Sequence, residues 1–166
     1  MRSPSFLPAT LLLATTYTPT LASPVTTVHN NCTFAIYYAP VDSSGPPKNM
    51  IQVPAGAFVF QDEYFDGHSG TALKITKSST GLYTGAPVLN FGYTLKDGET
   101  WWSLTPVLGY DFWGHNVTLV GDRVGSEAMV WLGEPGPVRI GHWFGEIGLT
   151  LTLCAGRLGL GLGGGV

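Results

Sequence analysis

The stretch VLNFGYTLKDGETWWSL, residues 88–104, decides the fold. Leu89, Phe91, Tyr93 and Leu95 alternate with Asn90, Gly92, Thr94 and Lys96. A period of two belongs to a strand with one face buried. Asp97-Gly98 interrupts the pattern, and Thr100, Trp102 and Leu104 resume it. Asp-Gly between two alternating runs signals a hairpin with a two-residue turn.

The same grammar extends outward. Phe34, Ile36 and Tyr38 alternate, with Cys32 on the same parity. Short apolar runs at 50–53 and 58–60 flank Pro54-Ala55-Gly56, and Leu73 and Ile75 alternate with Lys74 and Thr76. Further candidate strands are 117–120, 128–132, 138–143 and 147–153, with Gly or Pro in the gaps. No segment longer than two turns carries a helical period. About nine to ten short strands describe an all-β protein, an antiparallel sandwich or barrel.

Composition agrees. Of 166 residues 44% are hydrophobic, enough for a core, which excludes global disorder. The 23 Gly follow no three-residue period, which excludes a collagen-like chain. Only 11% are charged, as expected where packed sheets leave Thr, Ser and Asn outside. The net charge is −3; without Arg2 and Arg157, six basic side chains face 11 acidic ones. That balance argues against a nucleic-acid partner.

Residues 1–22 read as a secretory signal. Arg2 supplies the positive start, and 6–14 is an apolar run too short to span a bilayer. Thr20 and Ala22 precede a plausible cleavage site before Ser23. The expected folded domain is 23–154, followed by a disordered Gly-rich tail, 155–166, with no stable membrane span in the mature chain. Secretion gives meaning to two N-glycosylation sequons, at Asn31 and Asn116. It also bears on Cys32 and Cys154, whose spacing fits neither a C-x-x-C motif nor a zinc site. In an oxidising compartment one disulfide is the simplest reading, and two buried thiols are the alternative. Alternation puts Leu149, Leu151 and Leu153 on one face and Cys154 on the other, whereas Cys32 has core parity. Either the last strand ends at Leu153 and Cys154 turns inward, or the bridge lies outside the core.

Candidate chemistry is sparse. Acids cluster at Asp62, Glu63 and Asp66, and at Asp97, Glu99 and Asp111. A glycosidase needs two carboxylates about 5–9.5 Å apart, and Glu63 with Asp111 is the candidate catalytic pair. His29, His68, His115 and His142 have no metal-ligand spacing, so no metal or other cofactor is expected. No G-x-S-x-G elbow and no P-loop occurs. Aromatics are richer, with Trp101, Trp102, Trp113, Trp131 and Trp143 close in sequence. Adjacent strand residues face opposite sides, so one of Trp101 and Trp102 is core and the other faces outward. An exposed indole beside Tyr110 or Trp113 would form a platform for a sugar ring; Trp101, Trp102, Tyr110 and Trp113 are the glycan-binding candidates. Core packing with isolated surface aromatics is the plainer account.

Five segments carry a family resemblance: VHNNCTFAIYYAPV (28–41), ALKIT (72–76), residues 88–104, LGYDFWGHNVTL (108–119) and LTLTLC (149–154). In this order the chain resembles small secreted thaumatin-like or osmotin-like proteins of ascomycete fungi, including the yeast-phase-specific antigen family. The resemblance implies a β-sandwich whose first and last cysteines pair. Asp111-Phe112 stands where that pattern has Pro-Phe, and the extra cysteines usual after that segment are missing, leaving only the closing Cys154. The acidic cleft credited with glucan binding in some thaumatin-like proteins has no clear match here. The resulting expectation is a non-catalytic protein, extracellular or wall-associated, that binds cell-wall polysaccharide or a host or other extracellular protein. Weak glucan hydrolysis through an acidic cleft and a role as antigen or effector are the alternatives.

Overall fold

The computed structural model describes residues 24–45 and 49–156. The expected signal segment, 1–22, lies outside the described residues, as do residues 157–166 of the Gly-rich end. Among the described residues eleven strands form two sheets: β1 (Val25–Asn30), β2 (Ile36–Val41), β3 (Ile51–Val53), β4 (Phe58–Asp62), β5 (Thr71–Thr76), β6 (Val88–Lys96), β7 (Glu99–Val107), β8 (Asn116–Gly121), β9 (Met129–Leu132), β10 (Ile140–Phe144) and β11 (Leu149–Leu153). A one-turn helix, α1 (Gly81–Thr84), precedes β6. The five-stranded sheet has the order β4-β1-β11-β8-β9, and the six-stranded sheet β10-β7-β6-β5-β2-β3.

The 88–104 hairpin is β6 and β7, paired from Val88↔Val107 to Lys96↔Glu99. Its turn uses positive φ at Asp97 (55°) and Gly98 (76°). That geometry matches the twist of the flanking strands, which is why Asp-Gly serves here. Phe91, Tyr93, Trp102 and Leu104 point inward against Val28, Leu119, Leu149 and Leu151 of the facing sheet. Each fully buried aliphatic or aromatic side chain contributes about 1.5–3 kcal/mol.

The structure corrects the expected strand set in two respects. Residues 25–30 form a strand that the sequence reading missed, and Cys32 lies in the crossover from β1 to β2, not in a strand. The inward positions of β1 are Thr26, Val28 and Asn30, so two of its three core contacts are polar. The sheets are also not wholly antiparallel, because β1 pairs with β11 in parallel from Thr26↔Leu149 to Asn30↔Leu153. A parallel pair needs a long connection, and this one joins the two ends of the domain.

The cysteine question resolves at that junction. β11 stops at Leu153, and Cys154 takes φ 53° and turns to meet Cys32, with Cα atoms 4.9 Å apart in a disulfide. The backbone N–H of Asn31 donates to Leu153 O at 3.1 Å, and its side-chain Nδ2 donates to Cys154 O at 2.9 Å.

Candidate functional site

Strand alternation determines what the outer face of the six-stranded sheet presents. Trp102 points into the core and Trp101 outward, as opposite parities require. The inward indole is seated against backbone, because a Cβ on Gly141 would lie 2.2 Å from Trp102 Cε2. On edge strand β10, Ile140, His142 and Phe144 share the outward parity and stand across from Ser103, Trp101 and Glu99. His142 stacks on Trp101 with ring centroids 4.9 Å apart and planes at 23°. Phe144 meets His142 edge-on at 4.5 Å, and His142 Nε2 lies 3.2 Å from Glu99 Oε2.

His142 covers the Trp101 face toward β10, so the opposite face of the indole looks toward β6. There β6 carries Gly92, and a groove of about 290 Å³ opens. Its floor is Gly92, Ala72 and Ser103, and Thr94, Trp101 and Ile140 flank it. No lining residue carries a formal charge. Gly92 keeps the floor low, since a Cβ there would come 3.2 Å from Ser103 Oγ. Ile140 and Phe144 are 68% and 78% exposed, so the groove is bordered by apolar surface. An aromatic face above small uncharged residues, with the Ser103 and Thr94 hydroxyls beside it, suits an uncharged, ring-shaped ligand.

Tyr110 and Trp113 belong elsewhere. Tyr110 is buried, packs edge-on against Trp131 of β9 and Trp113, and has its hydroxyl pKa pushed up to about 12 by burial. Trp113 is 62% exposed on that side of the molecule. The structure thus brings Trp101 together with His142 and Phe144, and groups Tyr110 with Trp113 and Trp131. The alternation in IGHWF was a legible signal for the former, but pairing β10 with β7 required the tertiary structure.

The two candidate catalytic carboxylates are not brought into one site. Glu63 follows β4 where β1 and β11 begin and β8 ends. Its N–H donates to Pro24 O at 2.8 Å, and its carboxyl accepts from Thr26 Oγ1 at 2.8 Å and from the Leu149 N–H. Asp111 lies before β8, in the loop where Gly114 N–H donates to Gly133 O and His115 N–H to Phe112 O. The six residues of β8 place these two ends about 17 Å apart. Glu63 is also 4% exposed, so a polysaccharide cannot reach it.

Asn31 is exposed in the β1–β2 crossover, and Asn116 is half-buried at the start of β8. Among the described residues no group of three His, Cys, Asp or Glu side chains could hold a metal ion. Among the described residues, too, no helix is long and apolar enough to cross a membrane.

The family model described as Bys1, Blastomyces yeast-phase-specific protein, matches residues 13–155. No curated protein matches the sequence. Among solved structures, the crystal structure of the protein elicitor MoHrip2 from Magnaporthe oryzae aligns with a TM-score of 0.66. It is 22% identical and covers 80% of this chain and 100% of that one, a likeness of fold.

Proposed function

The chain belongs to the Blastomyces yeast-phase-specific protein family, and from that premise we propose that it is a secreted, non-catalytic fungal protein of thaumatin-like type that binds an uncharged extracellular glycan. Family membership fits a secreted, non-catalytic protein of fungal origin. The glycan reading is supported by one observation: the Trp101 indole, backed by His142, borders an uncharged groove floored by Gly92, Ala72 and Ser103. Residues 1–22 are the proposed signal segment, 23–154 the working domain, and Asn31 and Asn116 the proposed N-glycan acceptors. Hydrolysis is not part of the reading, because Glu63 is buried and lies at the opposite end of the sheet from Asp111.

The test is retention on insoluble β-glucan and chitin, followed by titration with soluble oligosaccharides. Trp101→Ala is expected to weaken binding at least about tenfold, since a central Trp commonly carries 2 kcal/mol or more. Trp113→Ala is expected to leave it unchanged. Equal binding by wild type and Trp101→Ala, or no retention on either polysaccharide, removes the glycan reading.

A second reading has its own observation. On the edge strand β4, Phe58 and Phe60 are exposed and stack with each other and with His29, at 6.2 and 3.9 Å between centroids. Such a row suits an extracellular protein partner. Loss of partner capture in Phe58→Ser/Phe60→Ser, with glycan retention unaltered, would favour it.

A further inference from the structure

Among the described residues Glu63 is a buried carboxyl with no part in the groove. Its neighbours come from several elements. Thr26 of β1 and the backbone of Leu149 of β11 donate to its carboxyl. Asp122, after β8, and Glu146, before β11, are carboxylates whose charges act on it. Tyr93 of β6 and Tyr64, next in sequence, are the nearby phenols. Oε1 accepts the Thr26 hydroxyl, whereas Oε2 is buried with no hydrogen-bond partner. The ion pairs among the described residues do not include Glu63, and Arg123 pairs instead with Asp122, at 3.5 Å on the exposed surface.

A carboxylate in this setting is disfavoured for two reasons. Burial strips its hydration, and two further acids repel it without a compensating cation. A neutral carboxyl suffers neither. Burial is the larger cause, and the two carboxylates add to it; together they outweigh the hydrogen bonds from Thr26 and Leu149 and push the pKa from 4.5 up to about 7.

We propose that Glu63 is a proton-operated latch at the end of the sandwich where β1 begins. With the proton on, the carboxyl fits between β1, β4 and β11. With the proton off, a buried carboxylate lacks its hydration and feels the charges of Asp122 and Glu146 on the surface nearby, and the join between these strands loosens. The sign follows from linkage. The folded protein holds this proton more tightly than the unfolded chain, so the stabilisation is complete below pH 4.5 and is lost as pH rises through about 7. The device responds to the step from an acidic to a neutral or alkaline exterior, and it is independent of glycan binding.

The experiment is urea unfolding of the full chain with its disulfide intact, from pH 4.5 to 8.5, beside Glu63→Gln. The wild-type folding constant is expected to fall by tenfold to a hundredfold, on the order set by the shift in proton affinity. Glu63→Gln is expected to lose most of that slope. Amide exchange at the start of β1, corrected for its intrinsic pH dependence, is expected to quicken in wild type and not in the variant. If the variant does not fold, the Glu63 carboxyl is titrated directly by carbon NMR in wild type. Identical pH slopes in the two proteins, or Glu63 titration near 4.5, overturns the proposal.

Discussion

A methyl group on Gly141 would lie 2.2 Å from Cε2 and 2.3 Å from Nε1 of Trp102, both on a rigid ring. Neither β10 nor the indole can yield without disturbing the core. Gly141→Ala is therefore expected to lower stability by about 1–3 kcal/mol, the usual range for an overpacked interior. The urea midpoint and the near-ultraviolet dichroism of the indoles measure it; an unchanged midpoint would mean that β10 shifts freely. At this scale alternation made part of the site legible. It separated Trp101 from Trp102 by face. It could not show that His142, far along the chain, supplies the ring stacked on Trp101, because register between distant strands is a tertiary fact. Nor could it reveal that Glu63, one acid in a polar run, is buried while Asp62 beside it is exposed.

Among the elements, β1 shows where pattern reading fails. Its sequence VTTVHN sends Thr26 and Asn30 into the core, so it lacks the apolar period that marks β6. Those polar residues are satisfied by partners remote in sequence. The two Nδ2 hydrogens of Asn30 are shared among the carbonyls of Phe34, Val53 and Pro54 at 2.8–3.0 Å, and Oδ1 accepts the Cys32 N–H at 3.2 Å. One carboxamide thus holds β1 to the start of β2 and the end of β3. Asn30→Ala is expected to cost about 1–3 kcal/mol, because it takes a donor from the buried Val53 carbonyl and the half-buried Phe34 carbonyl. The check is the thermal midpoint, with Asn30→Asp as a second variant that keeps the acceptor but removes the donors. If both variants melt with wild type, the clamp contributes nothing. The β6–β7 hairpin is the opposite case: its alternation and its Asp-Gly turn are local, and both appear in the structure as read.

At the scale of the molecule, the disulfide and the parallel β1–β11 pair fasten the two ends of the domain together. The bridge spans 122 residues of sequence. A closed loop of that length restricts the unfolded chain strongly, and native disulfides of this kind contribute about 2–5 kcal/mol. Cys32→Ser/Cys154→Ser is expected to lose that amount in urea, as is the reduced wild type. A double variant as stable as the oxidised protein would show that the β1–β11 pairing suffices alone.

What the sequence determined by itself is the material of the fold: an all-β chain, its hairpin at Asp97-Gly98, most of its strand positions, and the opposite facing of Trp101 and Trp102. These follow from backbone geometry that repeats every two residues, so they are written locally. The tertiary structure decided the rest. It alone paired β1 in parallel with β11, turned Cys154 toward Cys32, set His142 on Trp101 beside an uncharged groove, and buried Glu63 away from Asp111. Each of these depends on which distant strands become neighbours, and that choice is made by the packing of two whole sheets rather than by any short run of residues.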